Sequence, residues 1–283
     1  MILFRKAADI SNYLQDQRKN NRLVGFIPTM GALHHGHINL IEQSVKQQFL
    51  TVCSIFINPT QFNNAADFSR YPVTIEKDIE QLEAADCDIL FLPAVEEIYP
   101  KGTKAPTHYE LGFLETILEG KYRPGHFQGV CQVVNRLLDI VMPDTLYLGQ
   151  KDYQQCMVIS KMISSLGWEN KIHIAISPTI RESDGLAMSS RNMRLTTEER
   201  KRAVLISATL QSIKSTIQPG PLDKLKKNAR EELEAAGFKV DYAEIASAKD
   251  LHTIDHWDGN TKLVALIAAY LNEVRLIDNM LIN

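Results

Sequence analysis

The stretch Leu23-Val24-Gly25-Phe26-Ile27-Pro28-Thr29-Met30-Gly31-Ala32-Leu33-His34-His35-Gly36-His37 decides how the chain reads. Leu23 to Ile27 is an apolar run of strand character, and a turn of small residues follows it. From His37 to about Gln48, Ile38, Ile41 and Val45 recur at helical spacing, which predicts a helix with those three inward. A strand that opens through a short loop into a helix leaves unpaired backbone N–H groups and the positive helix end facing outward. That is a ready site for phosphate.

The same alternation continues outward. Leu50 to Ile57 and Asp88 to Leu92 read as strands, with a helix between them marked by Ile75, Ile79 and Leu82. Val130, Val133, Val134, Leu137, Leu138 and Val141 mark a long buried helix. Thr145 to Leu148 is a strand, Tyr153 to Leu166 a helix ended by Gly167, and Lys171 to Ser177 a strand. This order predicts an α/β fold: a Rossmann-like, doubly wound parallel sheet that binds ligands at the carboxyl ends of its strands.

After Pro178 the pattern changes. A loop from Arg181 to Asn192 leads into a helix from about Thr197. Pro219-Gly220-Pro221 then breaks the chain, and a charged helix runs from Leu222 to Ala236. Lys239 to Ala246, Leu263 to Ala269 and Val274 to Ile277 read as three strands. The expected division is a sheet domain over 1–178 and a smaller C-terminal α+β domain over 179–283.

Composition narrows the function classes. The 283 residues are 45% hydrophobic, enough for a substantial core, and carry a net charge of −3, which argues against a nucleic-acid-binding face. The four cysteines, Cys53, Cys87, Cys131 and Cys156, stand far apart among apolar neighbours and read as buried reduced thiols. Leu263 to Leu271 is the longest apolar stretch and is too short to span a bilayer. The N-terminus has no signal-peptide core, so a cytoplasmic protein is expected.

Three segments carry candidate chemistry. In Pro28 to His37, His34 and His37 can face one phosphate while Gly36 lets it approach the backbone. A histidine pair at this spacing can also chelate a metal, or stand in a plain loop. Leu148-Gly149-Gln150-Lys151-Asp152-Tyr153-Gln154-Gln155 again leaves a strand and opens a helix. Lys151 is placed there to reach a phosphate, or else to pair with Asp152 as a helix cap. Gly185-Leu186-Ala187-Met188-Ser189-Ser190-Arg191-Asn192 offers two hydroxyls and a guanidinium, as a phosphate loop or a solvated hinge.

A fourth group is mostly neutral. Asn58 and Gln61, with Gln155, can hold hydroxyls and a carboxylate at small desolvation cost, and Arg123 and His126 precede the long helix. For Gln61 a surface amide, and for Arg123 to His126 a structural turn, are the plain alternatives. The chain has no G-x-x-x-x-G-K-[ST] loop, no G-x-G-x-x-G fingerprint and no G-x-S-x-G elbow, so covalent catalysis by the protein has little support.

These segments, in this order, closely resemble the pantothenate synthetase family over nearly the whole chain. Asn58-Pro59-Thr60-Gln61-Phe62 and Gly149 to Gln155 are the most specific pieces. The histidine segment and the Ser-Ser-Arg loop resemble the signatures of the wider nucleotidyltransferase superfamily. The resemblance implies an ATP-dependent ligase that condenses pantoate with β-alanine through pantoyl adenylate, releasing AMP and pyrophosphate.

It further implies ATP contacts at Met30, Gly31, Ala32, Leu33, His34, His35, Gly36, His37, Gly149, Gln150, Lys151, Asp152, Ile180, Met188, Ser189, Ser190 and Arg191. Among these, His37, His34, Lys151, Ser189, Ser190 and Arg191 are expected to carry catalysis. Gln61 and Gln155 match the substrate-binding amides, with Asn58, Arg123 and His126 around them. Mg2+ would arrive with ATP, since the sequence shows no dedicated metal cage. A homodimer that binds neither nucleic acid nor membrane is likewise implied. One departure is Tyr71-Pro72-Val73, where the family often has arginine at the third position. The runner-up readings are another nucleotidyltransferase of the same superfamily, or a non-catalytic nucleotide sensor.

Overall fold

The computed structural model describes residues 1–103 and 107–283. Among these, the strands of the first region are β1 (Ile2–Phe4), β2 (Val24–Thr29), β3 (Leu50–Ile55), β4 (Ile89–Phe91), β5 (Thr145–Gly149) and β6 (His173–Ser177). Its helices are α1 (Ala7–Lys19), α2 (His35–Lys46), α3 (Ala65–Ser69), α4 (Ile75–Ala84), α5 (Val95–Ile98), α6 (Leu118–Tyr122), α7 (His126–Val141) and α8 (Tyr153–Ser165). The six strands form one all-parallel sheet in the order β1-β4-β3-β2-β5-β6.

A parallel sheet covered on both faces reads as unbroken apolar sequence, because neither pleat meets water. Every residue of β3 is buried, and only Pro28 of β2 is partly exposed. One pleat carries Ile27, Cys53 and Leu90 into a cluster with Leu40 and Ile41 of α2 and Leu82 of α4. The next residues in register, Phe26, Val52 and Ile89, take the opposite pleat, on the side of α7. Within α2 the inward set differs from the expected one. Leu40, Ile41 and Ser44 are buried, whereas Ile38 and Val45 are only half-buried.

The topology locates the ligand edge. From β2 the chain winds through β3 and β4 to one side, whereas β5 and β6 lie on the other. The order therefore reverses between β2 and β5. The histidine segment leaves the carboxyl end of β2, and Gly149-Gln150 leaves that of β5. Both loops start at the switch point, where sheets of this kind bind ligands.

The chain divides into two compact units, Met1–Gln150 with Gln155–Pro178, and Lys151–Gln154 with Thr179–Asn283. The second unit thus takes in four residues that a single cut at 178 assigns to the first. Its elements are β7 (Gly220–Pro221), β8 (Lys239–Ser247), β9 (His256–Trp257), β10 (Leu263–Leu271) and β11 (Val274–Leu281), with α9 (Thr197–Ala203), α10 (Leu205–Thr216) and α11 (Asp223–Ala235). An antiparallel sheet β11-β10-β8 packs Leu263, Ala265, Ile267 and Leu276 against Ile206, Leu210 and Leu233 of the helices. β11 runs four residues past the expected end at Ile277, because its backbone stays paired to β10 through Val264.

Candidate active site

In the first unit the loop after β2 is held from beneath by Asp78 of α4. Asp78 is fully buried. Its Oδ2 accepts the Ala32 N–H at 2.9 Å, and its Oδ1 accepts the Leu33 N–H at 2.8 Å and the Thr74 hydroxyl at 3.0 Å. A buried carboxylate is tolerable only when donors surround it, and here they do. The turn they enforce is tight. Gly31 lies at φ +81° and Ala32 at φ +48°, a left-handed conformation uncommon for a residue with a Cβ.

His34 and His37 form a reciprocal cap on α2. The His34 Nδ1 accepts the Gly36 N–H at 3.1 Å, and the His37 Nδ1 accepts the His34 N–H at a longer 3.4 Å. The two rings stack, with centroids 4.0 Å apart. An imidazole whose Nδ1 accepts must, when neutral, carry its proton on Nε2. Both side chains therefore present an Nε2–H donor from the same helix turn. His35 is exposed and takes no part in this stack.

Gln61 sits in a short 3-10 turn, Pro59–Gln61, after β3. Asn58 is 1% exposed and orients it. The Asn58 amide donates to the Gln61 Oε1 at 3.1 Å and to the Gly129 carbonyl at 3.1 Å, while its Oδ1 accepts the Tyr99 hydroxyl at 2.7 Å. Gln61 in turn directs its Nε2 to the Met30 sulfur at 3.3 Å.

Arg123 and His126 reach the same turn from the other side. Arginine can only donate, so at 3.0 Å it makes the His126 Nε2 an acceptor. The His126 proton then sits on Nδ1 and is donated to the Gln61 carbonyl at 2.8 Å. Glu119 completes the line with a 3.4 Å ion pair to Arg123. Gly129 of α7 permits the close approach. A Cβ there would stand 2.3 Å from the Thr60 carbonyl oxygen. Gln155 lies half-buried near the start of α8.

In the second unit, Ile180 and Met188 are brought together. The Met188 N–H donates to the Ile180 carbonyl at 3.0 Å, and Arg181 bridges Ala187 in an antiparallel pair. Ser189 caps the 3-10 turn Ser190–Arg194 by accepting the Arg191 N–H at 3.3 Å, and Ser190 is buried. At the hairpin tip, Asp184 pairs with Arg200 at 2.6 Å, and this bond holds the Asp184 carboxyl below its ordinary range. Lys151 also belongs to this unit. Its ammonium lies 3.8 Å from Asp152, and its carbonyl accepts the Asn279 amide at 2.8 Å.

Asp78, Gly129, Tyr99, Asp278 and Asn279 escaped the sequence reading. Two of them left a trace. Asp78 interrupts the apolar stripe Ile75-Ile79-Leu82, and Gly129 lies inside a helix, next to its apolar stripe Val130-Val133-Val134-Leu137. Among the described residues no group of three or more His, Cys, Asp or Glu is arranged to hold a metal, and no helix is long and apolar enough to cross a membrane.

Known proteins resemble this chain over nearly its whole length. The family model for pantoate-beta-alanine ligase matches residues 2–281. A protein of Bacteroides thetaiotaomicron named pantothenate synthetase is 40% identical over 283 residues, covering 99% of this chain and 98% of that one. One of the same name from Cytophaga hutchinsonii is 42% identical over 287 residues, covering 100% and 99%. The crystal structure of pantothenate synthetase from Thermus thermophilus superposes with a TM-score of 0.90 at 38% identity, covering 99% of each chain. A pantoate-beta-alanine ligase from Francisella tularensis, crystallised with beta-gamma ATP and beta-alanine, gives a TM-score of 0.83 at 35% identity and covers 99% and 97%.

Proposed function

The chain belongs to the pantoate–β-alanine ligase family, and from that membership we propose that it makes pantothenate from pantoate, β-alanine and ATP. In the first step a pantoate carboxylate oxygen attacks the α-phosphorus of ATP, and the bond to pyrophosphate breaks. In the second, the β-alanine amine attacks the acyl carbon of pantoyl adenylate. AMP leaves, and the amide forms as the amine loses its proton.

The observation that carries this reading is the pair of motif loops at the β2/β5 switch point, with His34 and His37 presenting paired Nε2–H donors from the first turn of α2. In-line displacement at phosphorus needs positioned reactants and stabilised charge, and it needs no protein nucleophile. Under this reading His37 and His34 donate to phosphate oxygens as negative charge builds on them. Met30 to His37, Gly149 to Asp152, Ile180 and Met188 to Arg191 bind ATP, with Lys151, Ser189, Ser190 and Arg191 on its phosphates. Gln61 and Gln155 hold pantoate. Asn58, Arg123 and His126 position Gln61. Mg2+ enters as part of the nucleotide substrate and neutralises phosphate charge.

The second unit, in this proposal, serves as a lid whose Ser-Ser-Arg hairpin closes on the triphosphate and excludes water. A cytoplasmic homodimer completes the picture, supported by the family resemblance. Sedimentation of the purified protein tests the dimer.

The decisive experiment is ATP–pyrophosphate exchange with pantoate and magnesium but without β-alanine. Exchange is expected, and 18O placed in the pantoate carboxylate should appear in AMP once β-alanine is added. If no label reaches AMP, the adenylate route is wrong. A nucleotidyltransferase acting on a phosphorylated acceptor would instead retain the nucleotide on its product.

A further inference from the structure

The four residues Lys151–Gln154 cluster with the second unit although the residues on both sides of them belong to the first. Something in the second unit must grip this segment. The Asn279 amide donates to the Lys151 carbonyl at 2.8 Å, and the Tyr153 hydroxyl donates to the Ala248 carbonyl at 2.6 Å. Asn279 is 2% exposed and its neighbour Asp278 is 5% exposed, both on β11. Buried polar side chains in adjacent strand positions are costly unless their partners are fixed.

Successive strand residues face opposite sides of a sheet, so β11 can reach two targets at once. Asn279 takes the Lys151 carbonyl. Asp278 takes the Arg181 guanidinium through two bonds of 2.6 and 3.0 Å. Arg181 donates further to the carbonyls of Gly185 at 3.0 Å and Asn279 at 3.2 Å. It therefore ties the base of the hairpin that carries Met188 to Arg191 to the same strand. A bidentate Arg–carboxylate pair fixes direction as well as distance.

We propose that Asn279 and Asp278 are positioning residues that hold Lys151 and the Ser-Ser-Arg hairpin as one preformed phosphate-binding half-site on the second unit. This rests on the reading of those residues as ATP ligands. It adds that Lys151 travels with the C-terminal unit and that the last strand of the chain sets its placement. Adenylation, on this account, depends on a residue close to the C-terminus that touches no substrate.

The test is a double-mutant cycle on the full-length protein, combining Asn279→Ala with Lys151→Ala. Two readouts are used: MgATP affinity by calorimetry and pantoate-dependent pyrophosphate exchange. Asn279→Ala should lower the exchange kcat by about 10- to 100-fold, the scale of a misplaced catalytic group. The KM for pantoate should stay within about twofold, because the pantoate amides are carried by the first unit. The double variant should be no worse than Lys151→Ala alone, since Asn279 acts through Lys151.

Leu276→Ala controls for general weakening of β11. It should lower the thermal midpoint and leave exchange at 20 °C intact. Asn279→Ser, which keeps a small polar side chain too short to reach Lys151, repeats the measurement if the alanine variant folds poorly. Additive losses in the cycle, or an equal loss in Leu276→Ala, would overturn the proposal. So would unchanged MgATP affinity in both Asn279→Ala and Lys151→Ala. If the wild-type protein binds MgATP without catalysing exchange, the ligase reading fails on its own, and the affinity cycle still decides whether Asn279 places Lys151.

Discussion

The Oδ1 atom of Asp78 receives the backbone N–H of Leu33 at 2.8 Å, and through that bond α4 fixes the loop that ends in His34. Replacing Asp78 with asparagine keeps the shape but sets an amide donor where at least one N–H must find an acceptor. Stability is expected to fall by about 1–3 kcal/mol, the cost of a buried unsatisfied donor. Urea unfolding measures it. Pyrophosphate exchange should fall as well, with little change in the KM for pantoate. An unchanged exchange rate would show that the loop holds its left-handed turn without this brace.

Gly129→Ala probes how α7 supports Gln61. The new methyl would stand 2.3 Å from the Thr60 oxygen, so the helix or the turn must move. Overpacking of this kind costs about 1–3 kcal/mol. The expected kinetic signature is a raised KM for pantoate with a smaller change for ATP. Calorimetric titration with pantoate and with MgATP separates the two.

His37→Ala should lower the exchange kcat by about 10²–10³, the usual loss for one donor to developing charge. Because His34 and His37 cap one another, His34→Ala should also disturb the His37 ring. The double variant is then expected to lose less than the product of the single losses. A rate for His37→Ala within a few-fold of wild type would remove it from the reaction.

Burial pushes the Cys87 and Cys131 thiols and the Tyr99 phenol up to about 12, from ordinary values of 9.0 and 10.0. A group whose folded-state pKa is raised gives its full stabilisation below the unfolded value and loses it as pH climbs through the folded one. Stability should therefore hold through pH 9 and decline between the ordinary values and about 12. At pH 8 all four buried thiols should react with a disulfide reagent only as fast as the protein opens. A single fast thiol would contradict their burial.

Much of the fold was legible because parallel strands buried on both faces leave continuous apolar runs and amphipathic helices leave helical spacing. β2, β3, β5 and α7 follow that logic. β1, of three residues, and α1, which buries only Ile10 and Leu14, carried too little signal to be read. Val73, the departure noted in Tyr71-Pro72-Val73, is exposed, and nothing among the described residues gives it a role.

Read alone, the chain carried the order of its longer strands and helices, the loops that bear the histidines, Lys151 and the Ser-Ser-Arg segment, and the likeness that names the chemistry. Periodicity and short motifs are local properties, and a chain displays them without folding. It took the folded chain to make β2 and β5 neighbours, to set Asp78 and Gly129 against the loops they support, and to hold Lys151 by Asn279 from 128 residues away. Those are pairings between distant segments. They arise because buried polar groups must find partners once the core has closed, wherever in the chain those partners lie.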